Sequence, residues 1–491
     1  MLELTLLVLT LATGDSVPLY NNLGTYHHAI SSRNAKTKAY FDQGLRLTYG
    51  FNHDEAIRAF REAARLDATC AICWWGVAYA SGPNINMPMD SAANANATDA
   101  LARALKLRQY ATPREAGYID ALVARYGKNA GPKGDSAYVS AVDALVKRWP
   151  GDLDAVVLSA EARMLLRPWN YWTADGKPQP GTTRLVTLLD SVVKINPQHP
   201  GACHYYIHAM EAADAAKALP CAERLAGLMP GAGHMVHMPG HIYIRLGRWD
   251  DAINANKHAL HADESYFEAE HPQGFYPIAY YPHNHAFLTF AAQMSGKGDL
   301  AIEHAKAEAA SIPVEVAAAV PFVQTSLARP FLVLVQFGKW NDVLAMKDPP
   351  ASVPIARAFA AYAKGEAHNA LGHADVARKS LASLEQLAKQ IPPDVGPADV
   401  AVDIAVHALR GDIAMRANDL SGAEKHFREA LRIQKGMTYN EPPDWYYPME
   451  HSLGAVLLKQ NRKAEAAAVF RQDLKLYPNN YWSTAGLKAA Q

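Results

Sequence analysis

The chain has 491 residues, 49% of them hydrophobic, and its 48 Lys+Arg balance its 48 Asp+Glu to a formal net charge of zero. That balance, with a pI near 7.3, excludes the basic field of a nucleic-acid binder and gives no acidic tail. No stretch reaches the about 18–20 continuous apolar residues of a membrane span, so none is expected.

The first residues, MLELTLLVLTLATGDS, hold an apolar run from Leu2 to Ala12 that is built like the core of a signal peptide, without the basic residues that usually precede one. Residues 1–20 are therefore read as a leader or disordered segment and 21–491 as one domain. Export to the periplasm or beyond is the expectation, with the cytoplasm as the alternative. Four cysteines follow: Cys70 and Cys73 in a C-x-x-C, then Cys203 and Cys221. An even count permits two disulfides, and no second C-x-x-C or nearby His pair completes a zinc knuckle, so structural roles are favoured.

Alanine is abundant and β-branched runs are few, so the chain reads as all-α. A repeat organises it. Offsets of 12, 16 and 19 lead from Gly44 to Ala56, Phe60 and Ala63. The same offsets lead from Gly411 to Ala423, Phe427 and Ala430, and from Gly454 to Ala466, Phe470 and Asp473. They lead from Gly240 to Ala252, Asn256 and Ala259, and from Tyr206 to Ala218, Ala222 and Leu225; Tyr206 and Gly240 are 34 residues apart. This pattern resembles the tetratricopeptide repeat, in which a small residue lets helix A approach helix B and an aromatic fills the groove to the next unit. The resemblance implies a solenoid of antiparallel helix pairs. Four segments exceed what such an array needs: Ser81–Ser91, Pro168–Gly181, Asp263–Tyr281 and Lys435–Pro448. All carry Pro, Gly or aromatic residues, and they are expected to close over the concave face.

The histidines fall in register with the repeat. Counting Gly240 as position 8, His234, His237 and His241 occupy positions 2, 5 and 9 of an A helix, which form one stripe. The resemblance implies that this stripe faces the ligand groove. In the preceding unit His204, His208 and Glu211 lie on an A helix, rotated off the concave centre, and the next A helix carries His283 and His285. Adjacent A helices pack about 8–10 Å apart, close enough for imidazoles of neighbouring units to share an ion. Other histidines, such as His53, His368, His373, His407 and His426, read as packed or hydrogen-bonded residues.

Imidazole with carboxylate suits copper, zinc or iron, and seven histidines exceed one tetrahedral site, so a mono- or dinuclear centre is expected. The H-E-x-x-H arrangement of zinc proteases is absent. Pro239 belongs near a helix start, where its missing N–H is tolerated. Glu211 is the candidate ligand or general base. Asn84 and Asn86 (otherwise a turn-forming pair) and Trp445 and Tyr446 (otherwise inter-repeat packing) are the candidate substrate contacts.

The segments YFDQGLRLTYGFNHDEAIRAF, CAICWWGVAYASGPNINMPM, HPGACHYYIHAMEA, LAGLMPGAGHMVHMPGHIYIRLGRW, YYPHNHAFL and YNEPPDWYYPMEHSLGAVLL resemble a family of bacterial tetratricopeptide-repeat proteins without an established common function. The functional expectation is a metal-dependent oxidoreductase or hydrolase that takes a small molecule or peptide in its groove. The alternatives are a peptide- or protein-binding scaffold without catalysis and a metal store or chaperone.

Overall fold

The computed structural model describes residues 17–126, 130–392 and 396–491. The leader expected over residues 1–20 lies, as far as residue 16, outside the described residues. Among the described residues the structure is helical, and the only strand-like pairings are isolated bridges, Asn84 with Met87 and Trp172 with Pro178.

Helices alternate A and B and pack pairwise along the chain: Ala35–Tyr49 on His53–Leu66, Pro200–Met210 on Ala215–Leu228, Ala398–Arg416 on Leu420–Gly436 and Glu450–Lys459 on Lys463–Leu476. The chain is thus a tetratricopeptide-like α-solenoid. Its repeat rule has a direct steric cause. A Cβ placed on Gly44 would stand 2.7 Å from the Phe60 ring, and one on Gly76, in the next A helix, 2.4 Å. Phe60 is therefore clasped between two glycine-bearing A helices. Phe470 is held in the same way between Gly454 and Gly486, and Phe427 lies on Gly411. In the second unit the small residue facing Phe60 is Gly76.

The array curls back on itself at two places. The helix Pro200–Met210 packs on the first helix, Ala35–Tyr49, and Gly201 faces the Tyr49 ring so closely that a Cβ there would lie 2.5 Å away. The C-terminal unit meets the middle of the chain: Trp249 Nε1 donates to the Pro478 carbonyl at 3.1 Å, and Trp482 Nε1 to that of Gln293 at 2.9 Å. The histidine face is consequently enclosed rather than an open groove.

Three of the four long segments do reach across this face. Trp169, in the second, donates from Nε1 to the Ile85 carbonyl of the first at 3.1 Å, tying the two together. Tyr439, in the fourth, donates its hydroxyl to Glu211 Oε2 at 3.4 Å. The third is not a loop. The helix Trp249–Glu270 continues through its first part, and the helix Phe275–Met294 begins well before its end and carries Pro282 internally. Cys70 and Cys73 form a disulfide at the start of the helix Ala71–Ala80, whereas Cys203 and Cys221 are free and buried.

Candidate metal centre

Three consecutive A helices bring the imidazoles together. Every residue of Pro200–Met210 is buried, so His204 and His208 point into the interior whatever their rotation about the axis. The next A helix is built in two pieces, Gly233–His237 and Pro239–Arg245, joined at Met238 with φ −51° and ψ −34°. The chain stays helical through the joint, and Pro239 takes the first position of the second piece, where no N–H is needed. His234, His237 and His241 therefore keep one face. The helix Phe275–Met294 supplies His283.

The result is two groups of three. Ring nitrogens of His204, His208 and His234 lie within 4.8 Å of one another, and so do those of His237, His241 and His283. Nε2 of His204 is 3.1 Å from Nε2 of His234, and Nε2 of His237 is 2.9 Å from Nε2 of His241. The groups abut, with ring centroids of His208 and His241 5.3 Å apart and those of His234 and His237 5.7 Å apart.

Hydrogen bonds on the far side of the rings fix which nitrogen faces inward. His204 Nδ1 donates to the Tyr49 carbonyl at 2.6 Å, His208 Nδ1 to Glu211 Oε1 at 2.9 Å and His237 Nδ1 to Asn256 Oδ1 at 2.7 Å. His241 Nδ1 donates to Glu211 Oε2. With the proton on Nδ1, the lone pair of each ring is on Nε2 and turned to the centre. His208 Nε2 and His234 Nδ1 are buried without any partner. Lone pairs facing each other near 3 Å repel unless a proton or cation lies between them. Two nitrogens bound to one ion at about 2.0–2.1 Å in tetrahedral array stand about 3.3 Å apart, so the spacing fits shared ligation.

Asn256 is a notable substitution. It occupies the repeat position of Phe60 and Phe427, below Gly240, and its Nδ2 donates to the Ala252 carbonyl at 2.8 Å, which turns Oδ1 toward His237. Glu211 forms a third set with His208 and His241, its carboxylate oxygen and their ring nitrogens within 4.8 Å of one another, so it bridges the two imidazole groups. Both oxygens receive imidazole N–H groups, one from each group, so it orients His208 and His241 together. Burial pushes its carboxyl up, but His241 and His208 outweigh that and hold it at about 2.

Burial sets the charge of the rings. His204, His237 and His241 are 0–1% exposed. Desolvation, then neighbouring imidazoles, drives His204, His234 and His237 well below the usual range and lowers His208. Burial and then His241 take His283 down to about 3. Neutral imidazole is the ligand form. Aromatic walls complete the enclosure. The Phe51 ring lies 4.5 Å from that of His204 and 5.3 Å from that of His234, on a residue held at φ 59°. Phe287 covers His237 and His241, and Tyr280 stands 4.6 Å from His234.

A cavity of about 340 Å³ opens beside the groups and is lined by His208, His234, His241 and His283, with Asn86 and Glu441 among its other walls. This is within the range of small-molecule sites. Of the expected substrate contacts, Asn86 lies on this wall, its Nδ2 3.4 Å from the Tyr280 hydroxyl. Asn84 instead shapes the turn, accepting on Oδ1 from the N–H of Asn86 at 2.8 Å and of Met87 at 3.0 Å. Trp445 and Tyr446 are packed in the core, the Tyr446 hydroxyl 3.0 Å from that of Tyr362. The cavity wall is made by the residues just before them, Asn440 to Asp444. His285 belongs to neither group: it points the other way, its Nδ1 3.0 Å from Nδ1 of His304.

A second cluster with ligand-type side chains, His28, Asp152 and Asp154, lies behind Tyr49. Asp154 there accepts from His28 Nδ1 at 2.6 Å and from the hydroxyls of Tyr26 at 2.8 Å and Tyr49 at 2.5 Å. These contacts hold Tyr49, whose carbonyl receives His204. Phe51, Tyr49, Tyr439 and Glu441 carry no motif that marks them in the sequence. Asn256 does, as the odd residue at an aromatic position.

No family model matches the chain, and no curated protein matches it. Among solved structures, the Cut9–Hcn1 hetero-tetramer of the APC/C is 12% identical over 94% of this chain and 78% of that one, with a TM-score of 0.35. A human IFIT1 dimer with m7Gppp-AAAA is 14% identical over 94% and 90%, TM-score 0.36, and yeast Tom70 10% over 93% and 89%, TM-score 0.32. It is the helix pairing and repeat register of the chain itself, rather than these distant likenesses, that establish the tetratricopeptide-like solenoid.

Proposed function

We propose that the two groups, His204/His208/His234 and His237/His241/His283, hold a pair of transition-metal ions and that the protein is a metal-dependent enzyme acting in the adjoining cavity. One observation carries the reading: four of six clustered imidazoles have Nδ1–H tied outward, leaving their Nε2 lone pairs aimed at one another. A peptide-binding groove would have no use for buried, opposed lone pairs. The donor set favours copper or zinc over iron, since the two groups are made of imidazoles and the nearest carboxylate is engaged with histidine N–H groups. Copper would supply redox chemistry toward oxygen and zinc an activated water. The chain's own share is to orient the ligands through Glu211, Asn256 and the Tyr49 carbonyl, to exclude bulk water with Phe51 and Phe287, and to seat a substrate in the cavity. The Cys70–Cys73 disulfide supports placing the protein in an oxidising compartment such as the periplasm.

Elemental analysis after reconstitution tests the reading, with about two equivalents of metal expected per chain. His237→Ala with His241→Ala should remove about one of them and leave helicity intact. Less than about a tenth of an equivalent of any transition metal, after reconstitution, overturns the proposal. A metal store without catalysis would bind both ions yet be indifferent to a block in the cavity.

A further inference from the structure

We propose that Glu441 is the anchor for a substrate ammonium group, so that the cavity takes a small primary amine with an apolar body. The inference names a substrate class for the cavity and rests on the proposed function for its catalytic meaning.

Glu441 is 2% exposed, and neither of its carboxyl oxygens has a hydrogen-bond partner. A buried polar group without a partner is costly, and native structures contain few. The nearest cation, Arg245, leaves Nη1 3.8 Å from Glu441 Oε1, too far for a hydrogen bond, and its guanidinium lies over the rings of Tyr439 and Tyr477 at 5.7 and 5.6 Å. The unmet acceptors belong to a side chain on the cavity wall, so the natural partner is a donor inside the cavity.

Charge selects the donor. The wall carries three carboxylic side chains, Glu308, Asp444 and Glu441, against one arginine, Arg329. That arginine is taken, its Nε 2.5 Å from Glu308 Oε2. Asp444 has only the Asn440 amide, at 2.8 Å. A ligand carboxylate would meet two acids, Glu441 and Asp444, and an alcohol would bring a hydrogen bond without charge, whereas an ammonium supplies both. Burial raises Glu441 to about 8, with Arg245 offsetting only part of that, so a cation seated in the cavity would favour its charged form. The remaining wall, with Phe275, Ile278, Phe322, Leu332 and Phe359, offers an apolar sleeve for a hydrocarbon or aromatic body. The anchor is also fixed relative to the histidines: Tyr439, two residues earlier, donates to the same Glu211 oxygen that receives His241.

The test is calorimetric titration of the full chain, metal-free and metal-loaded, with 2-phenylethylamine, 2-phenylethanol and 3-phenylpropionate. The amine should bind about tenfold or more tighter than the alcohol, and the carboxylate weakest. Glu441→Gln keeps the shape and removes the charge. It should lose about tenfold for the amine, leave the alcohol unchanged and leave metal content at the wild-type level. Ile278→Trp, which fills the sleeve, should abolish binding of both. The inference is overturned if the wild type does not bind the amine, if the carboxylate binds as well as the amine, if E441Q holds the amine like wild type, or if I278W does. Failure of the metal reading shows separately, as a chain that takes up no metal yet binds the amine through Glu441.

Discussion

Replacing Glu211 by glutamine isolates the role of the carboxylate that joins the two histidine groups. In the native chain each oxygen accepts one imidazole N–H, from His208 and from His241. Glutamine is the same size but offers one acceptor and one donor. One of the two histidines must then place its proton on Nε2, where it blocks the metal, or turn its ring. Only one group should be damaged, because the remaining amide oxygen can still orient the other ring. Loss of such a carboxylate–histidine contact typically costs about 10–100-fold in metal affinity. E211Q should therefore bind one ion like wild type and the other about 10–100-fold more weakly, and a competition titration against a chromophoric chelator should resolve two steps. Near-UV circular dichroism would establish that the core is intact. If E211Q binds both ions with wild-type affinity, the carboxylate is not an orienting group and the tautomer argument fails.

Asn256→Leu restores an apolar residue at the aromatic position of the repeat and deprives His237 of its acceptor, so one equivalent of metal should be lost while far-UV helicity stays at the wild-type level. Stripping the ions should lower thermal stability: at about a hundredfold excess of free ion over the dissociation constant each site adds about 2.7 kcal/mol, and a melting scan with and without chelator reads the difference. A third expectation concerns Glu366, which faces Asp412 between the helices Pro354–Ala370 and Ala398–Arg416. Burial and then Asp412 push Glu366 well above its usual range, and burial takes Asp412 to about 7. Both folded values exceed the unfolded ones, so the folded chain binds more protons. The pair's contribution is full below about pH 4 and is lost as the pH rises through about 7. Glu366→Gln should flatten this decline, and a melting temperature with the same pH profile as wild type would refute it.

The repeat was legible because packing imposes it locally: a glycine must face Phe60, Phe427 and Phe470, and that requirement leaves fixed offsets in the sequence. The histidine stripe was legible for the same reason, since the register of one helix pair assigns its faces. What the sequence could not convey is the curl of the whole array. His204 and His208 look peripheral on a helical wheel, yet the approach of Tyr49 and Phe51 from the first unit makes them central. The loops show the same limit. Trp445 and Tyr446 are the conspicuous residues of their segment, but large apolar rings without a ligand go to the core, and the less conspicuous Asn440–Asp444 face the cavity.

That curl bears on why the site is where it is. An open solenoid exposes its concave face to water, where imidazoles need no ordered partners and a cation competes with solvent for them. Here residues distant in sequence, Phe51, Trp169, Tyr280 and Tyr439, converge on the histidines and dry them. Drying removes the protonated state, as the depressed values of His204, His234, His237 and His283 show, and so removes the proton as the competitor of a metal. The same drying leaves His208 Nε2 and His234 Nδ1 unpaired, a cost the fold bears in their absence of partners. A chain selected for stability alone would fill these positions with small apolar residues, as the repeat of Gly411 does at Ala405 and Ala408. Retaining six imidazoles, five of them buried, at the point where the array closes makes sense if the closing contacts and the ions stabilise one another, so that the units lock together as the centre is loaded.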